Sequence, residues 1–105
     1  MKRGEIWWAD LQNSAGRRPV ILLSRDEAYK VRNLVTVAPI TTRIRNIPVE
    51  VRLTVADGLK KDSVINLDTI TTIPKAWLID RVCQLDQAKM IDLDNAIKFA
   101  LGIDE

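Results

Sequence analysis

Val20, Ile21, Leu22 and Leu23 form an apolar run bracketed by turn-forming residues, Asn13-Ser14-Ala15-Gly16 before it and Ser24-Arg25-Asp26 after it. A run this short does not make an ordinary helix, so a chain that buries it must bury it as a strand and supply partner strands. Pro19 suits the first position of that strand, where no ladder partner has to receive an N–H. Arg17 and Arg18 then stand at the mouth of a rigid element, and their fixed guanidinium forks can grip a phosphate with little further ordering. A second β-rich run, Leu34 to Ile40, ends in Thr41, Thr42 and Arg43. Two neighbouring strands that each end in anion-binding groups are the strongest functional sign in the sequence.

The rest of the chain reads in the same short units. Ile6 to Leu11 predicts a first strand with Trp7 and Trp8 on opposite faces. One of them is expected in the core; for the other, packing or a dimer contact is favoured over base stacking. Asp26 to Asn33 predicts a helical turn capped by Ser24 or Asp26. Thr41 to Asn46 is a polar excursion that carries Arg43 and Arg45, and Val49 to Leu53 alternates as a half-buried fourth strand. Asp57-Gly58 marks a turn, Lys60-Lys61-Asp62 precedes a fifth strand at Ser63 to Leu67, and β-favouring residues continue to Ile73. Ala76 to Leu85 fits a helical turn followed by a short strand. Asp86 caps a helix from Gln87 to Leu101, with Met90, Leu93, Ile97, Ala100 and Leu101 on one face and Gly102 as its stop. The sum is five or six short antiparallel strands closed by a C-terminal helix, a mostly β chain forming a small SH3-like barrel.

With 105 residues, the chain is expected to be a single domain spanning 1–105 with one modest core, for which dimerisation is a common remedy. No segment approaches the roughly 18 apolar residues that span a membrane, and the basic N-terminus leads into no apolar signal region. One cysteine and no histidine leave neither an internal disulfide nor the usual zinc ligand, so the expectation is a cytoplasmic protein without metal or cofactor. The missing imidazole also excludes Ser-His-Asp and Cys-His catalysis. Cys83 reads as a small core residue. The net charge of +2 says little about partners, but before Asp57 the basic residues cluster, while carboxylates gather towards the end.

The order Arg3-Gly4-Glu5-Ile6-Trp7, Asp10-Leu11, Arg18-Pro19-Val20-Ile21-Leu22-Leu23-Ser24, Pro39-Ile40-Thr41-Thr42, Asp62-Ser63-Val64-Ile65 with Asp68, and a helix ending in Leu101-Gly102-Ile103 resembles the MazF/PemK/Kid family of toxin endoribonucleases over nearly the whole chain. The resemblance implies a homodimer that cleaves single-stranded RNA at short sequences without a metal. The products would be a 2′,3′-cyclic phosphate and a 5′-hydroxyl, with loss of translation and growth. It also implies a cognate MazE-like antitoxin whose C-terminal segment occupies the RNA groove. By position, the family's catalytic arginine falls on Arg18 and its catalytic threonine or serine on Thr41, and Asp68 matches an acidic position of some members. The loop from Gln12 to Arg17 is shorter than in many members, so the target sequence does not transfer.

Chemically, Arg18 suits the charge that builds on a phosphorane, and Thr41 can donate to a non-bridging oxygen. A guanidinium is a poor base, which leaves the general base unassigned. Arg17, Thr42, Arg43 and Arg45 are the candidate RNA contacts. Each has a plainer reading: Arg17 and Arg18 as a solvated pair, Thr41 as a turn residue, Asp68 as the ion-pair partner of a basic neighbour. Two other functions compete, a toxin of the same fold that binds a protein such as DNA gyrase, as CcdB does, and a nucleic-acid-binding barrel without catalysis.

Overall fold

The computed structural model describes residues 1–13 and 16–103; Ser14 and Ala15 of the predicted first turn lie outside that range. The described residues form seven strands: β1 (Glu5–Asp10), β2 (Arg17–Leu22), β3 (Leu34–Thr41), β4 (Glu50–Leu53), β5 (Ser63–Asn66), β6 (Thr71–Pro74) and β7 (Leu78–Gln84). A one-turn helix α1 (Ala28–Val31) precedes β3, and α2 (Gln87–Leu101) ends the chain. The strands pair in the order β4-β5-β3-β2-β1-β7, all antiparallel, and β6 adds to β3. The result is a curled half-barrel, with β4 and β7 as its two ends.

β3 is the hub. Its first half pairs with β6 (Val35 with Ile73) and its last two residues with β5 (Ile40 with Ile65), while β2 runs along its other edge (Ile21 with Ala38). Residues Leu67–Thr69, expected to continue as β, instead form a 3-10 turn, because β5 and β6 both pair with β3 and the chain must step between them. Asn66 fixes that step by accepting the Asp68 N–H at 3.0 Å. The undecided segment from Ala76 becomes a 3-10 turn at Lys75–Trp77 and then the full-length strand β7, held along β1. The predicted caps of α1 are used elsewhere: Ser24 Oγ accepts the Thr36 N–H at 2.8 Å, and Asp26 Oδ1 accepts the Arg3 N–H at 2.7 Å. The N-cap position falls instead on Glu27, which makes no side-chain cap bond.

Strand alternation sorts the core into two clusters. Ile6, Ile21, Ala38, Ile40 and Ile65 face α2 and pack on its Leu93 and Ala96; Ala9, Val20, Leu22, Val35 and Val37 face the other side, with Tyr29, Ile73 and Trp7. β2 is buried on both faces, which explains its unbroken apolar run. The C-terminal helix follows the sequence reading: Asp86 accepts the Lys89 N–H at 2.8 Å, and Gly102 closes it in the left-handed region at φ 68°. Gly4 lies in the left-handed region as well, at φ 91°, and a Cβ there would also press on the flexible end of Met90 where β1 meets α2.

The N-terminus is tied down by one carboxylate. Glu5 accepts from Trp7 Nε1, Arg81 Nε and the Lys2 N–H, each at 3.0 Å, with its side chain 10% exposed. Burial pushes its carboxyl up, but these bonds together outweigh burial and hold it below the usual carboxylate range. A group lowered on folding stabilises above its unfolded pKa, and that stability is lost as pH falls through the folded pKa. Glu5→Gln is therefore expected to destabilise at pH 7 and to flatten the fall in stability over the acid range, measured by urea unfolding at a series of pH values. An unchanged acid limb would place the loss elsewhere.

Candidate nucleic-acid interface

The β1–β2 hairpin closes with Leu11 N–H to Gly16 O and Gly16 N–H to Asn13 O, both 3.0 Å, and its register sets Trp8 opposite Pro19 and Ala9 opposite Arg18. β3 pairs with β2 up to Val20–Pro39; beyond it the start of β2 stays paired with β1 and the end of β3 passes to β5, so the two ends are unpaired with each other and border one lip of the sheet. Alternation puts Trp8, Pro19 and Ile40 on the face shared with the α2-side core, and Arg18, Pro39 and Thr41 on the opposite face.

Each face opens into a concavity at that lip. The first, of about 450 Å³, has a largely apolar floor that includes Trp8, Ile40, Leu59 and Val82. Arg17, Lys60 and Lys61 are among its cations. The second, of about 270 Å³, is polar and lined by Arg43, Arg45, Asn66 and Thr69 with Pro39. Arg18 and Thr41 line both. Among the described residues no carboxylate lines either concavity, and none pairs with Arg17, Arg18, Arg43, Lys60 or Lys61.

Thr41 is oriented by its own turn. Its Oγ1 accepts the Arg43 N–H at 3.2 Å, which spends a lone pair and leaves the hydroxyl proton to donate elsewhere. The next residues are held by Glu50 of β4, whose carboxylate accepts the Arg45 N–H at 3.0 Å, the Asn46 N–H at 2.9 Å and Arg45 Nε at 3.2 Å. The Glu50 side chain is only 3% exposed. Burial raises its carboxyl, yet the donors of Arg45 and Asn46 prevail and keep it below the usual carboxylate range. Arg45 is thus partly committed within the protein, whereas Arg43 is free to meet an anion.

The structure brings together Arg17, Arg18, Thr41 and Thr42 around the apolar concavity and adds Arg43 and Arg45 beside the polar one. Asp68 is not brought in: it lies exposed on the turn between β5 and β6, outside both linings, and no ion pair of the described residues holds it. Sequence reasoning missed Lys60 and Lys61, whose adjacency after the Asp57-Gly58 turn was the available signal, and also Asn66 and Thr69, which carried none. Of the tryptophans, Trp7 packs in the second core cluster while Trp8 stays 40% exposed on the concavity. Cys83 is half-buried against the core and burial pushes its thiol up, in keeping with a structural residue. Among the described residues, no group of three or more His, Cys, Asp or Glu is placed to hold a metal ion, and no helix is long and apolar enough to cross a membrane.

Comparison with known proteins gives a consistent picture. The family described as PemK-like, MazF-like toxin of type II toxin–antitoxin system matches residues 2–101. A probable endoribonuclease MazF5 of Mycobacterium tuberculosis is 37% identical over 100 residues, covering 94% of this chain and 91% of that one. An endoribonuclease MazF of Staphylococcus epidermidis is 33% identical over 111 residues, with 98% and 92% covered. Among solved structures, the Mycobacterium tuberculosis toxin MazF-mt6 superposes with a TM-score of 0.89 at 34% identity, covering 96% of this chain and 99% of that one. A mycobacterial endoribonuclease in complex with its cognate antitoxin superposes at 0.90 with 28% identity, covering 100% and 98%.

The Glu50 cradle makes a direct prediction. Glu50→Gln weakens three charge-assisted bonds, so amide exchange at Arg45 and Asn46 is expected to quicken by about 10- to 100-fold at neutral pH, while exchange in β3 stays unchanged. In the native protein the same protection persists down through the ordinary carboxylate range and is lost only as pH falls through the lowered folded pKa. Equal protection in the variant would show that the loop holds without the carboxylate.

Proposed function

As a member of the PemK-like, MazF-like toxin family of type II toxin–antitoxin systems, the chain is an endoribonuclease toxin, and we propose that it cuts single-stranded RNA without a metal, at the lip between its two concavities. One observation carries the reading: Arg18 and Thr41, the positions matching the family's catalytic residues, are the pair that lines both concavities, with unpaired cations around them.

In the reaction, the ribose 2′-oxygen attacks the adjacent phosphorus. A P–O2′ bond forms, the P–O5′ bond breaks, and the products are a 2′,3′-cyclic phosphate and a 5′-hydroxyl. Arg18 sits where a phosphorane would gain charge and donates to its oxygens, including the departing O5′. Thr41 donates its free proton to a non-bridging oxygen and so fixes the in-line geometry. The step balances when the 2′-hydroxyl gives up one proton and the departing O5′ takes up one, and with no histidine in the chain neither transfer uses an imidazole. Arg17, Thr42, Arg43 and the outer nitrogens of Arg45 hold flanking phosphates. Asp68 lies outside both linings and is given no part in the step.

The partners follow from the same surfaces. A cognate antitoxin that covers the lip with an acidic or apolar segment would block RNA, in line with the antitoxin complex of the mycobacterial neighbour. The exposed apolar side chains on and just beyond α2, Ile91, Phe99, Leu101 and Ile103, favour a homodimer.

The test is a long single-stranded RNA incubated with purified protein in excess EDTA, with fragment ends read by primer extension. The native chain is expected to cut at a few short sites and to leave 5′-hydroxyl ends. Arg18→Ala should lose about 10²- to 10³-fold and Thr41→Ala about 10- to 100-fold, both with native circular dichroism. Arg43→Ala should still cut, with the slope of log affinity against log salt reduced by about 0.7 for one lost phosphate contact. RNA left intact by the native, antitoxin-free chain would overturn the reading, and unchanged cleavage by Arg18→Ala would overturn the assignment of its centre.

A further inference from the structure

Trp8 has no evident structural reason for its position. Its neighbour Trp7 is packed and hydrogen-bonded to Glu5, whereas Trp8 is 40% exposed on the floor of the larger concavity, beside Pro19 across the ladder. We propose that this concavity is a nucleobase subsite in which Trp8 stacks on the base of the nucleotide next to the cut phosphate, with Lys60 and Lys61 on the phosphate that follows. The proposal rests on the cleavage reading and adds to it a specificity-determining residue.

Three observations select this occupant. Arg18 and Thr41 stand on the lip common to both concavities, so a phosphate held there has one flanking nucleotide over the polar side and the other over the apolar side. The apolar side offers an aromatic face and about 450 Å³ of space, the environment in which an unstacked base is held in single-strand recognition. Finally, Arg17, Arg18, Lys60 and Lys61 surround the site, and among the described residues no carboxylate enters its lining. A symmetric contact of this face with a second copy would set those cations against one another, whereas a polyanion neutralises them.

The test uses a short RNA built around a mapped cut site, with a 2′-deoxy sugar at the attacking nucleotide so that it binds without being cut. Abasic substitutions are placed in turn on either side of the cut phosphate. For the native chain, one of the two should weaken binding by about 5- to 150-fold, the span of one base–aromatic stack, and should quench tryptophan fluorescence less than the intact RNA. Trp8→Ala should lose a similar factor on the intact RNA and nothing further on that abasic RNA, and Trp8→Phe should restore much of the difference. Losses that multiply independently, or an RNA bound equally with and without either base, would overturn the subsite while native cleavage of the parent RNA leaves the cleavage reading standing. Conversion of a dimer to a monomer by Trp8→Ala, measured by light scattering, would give Trp8 to a second copy and end the proposal. Absence of both binding and cleavage by the native chain would remove it together with the reading it rests on.

Discussion

Everything at the site depends on how the β3 ladder is shared. One edge of β3 is held by β2, and the other is divided between β6 at its start and β5 at its end. That division forces the turn at Leu67–Thr69, curls the sheet, and ends the β2–β3 pairing at Val20–Pro39, so the start of β2 is paired only with β1 and the end of β3 only with β5. Arg18 and Thr41 are neighbours for that reason, although 23 positions separate them in the chain. Because buried Val20 follows Arg18 by two residues on β2 and buried Ile40 directly precedes Thr41 on β3, the core anchors both strands and little backbone ordering remains to be paid on binding.

The second constraint is electrostatic. The chain is nearly balanced, with 16 basic and 14 acidic residues, yet the lip carries unpaired cations. The balance is kept by placing carboxylates elsewhere and giving several of them donors: Glu5 at the N-terminus, Glu50 under the loop after β3, Asp86 at the cap of α2, Asp94 against Arg3. Glu50 holds the loop that carries Arg45 at the polar concavity, and it is nearly fully buried with three donors. Its charge is therefore spent on the loop and competes weakly with an incoming phosphate for the nearby arginines. The lip is made positive by sorting the charge rather than by an excess of it.

Several elements were legible in the sequence. The C-terminal helix was readable to its caps, since Asp86 and Gly102 act through local backbone geometry that needs no tertiary partner. The β2 run and the Arg18 and Thr41 positions were readable because short apolar segments end visibly in polar ones. By contrast, β7 was obscured, since Leu78–Gln84 lacks strict alternation and becomes a strand only through pairing with β1. Lys60, Lys61, Asn66 and Thr69 were also hidden, because their place at the lip follows from the β5 register and not from any local pattern.

The sequence by itself determined the set of short β units, the helix that ends the chain, the family, and the exclusion of imidazole chemistry, because each of these follows from residue type and near-neighbour spacing. Only the tertiary structure decided which tryptophan packs against the core, that Asp68 stands outside the linings, and that Arg18 and Thr41 share a lip between an apolar and a polar concavity. Those outcomes depend on strand register, where a shift of one residue exchanges the two faces of the sheet, and register is fixed by pairings between segments distant in the chain.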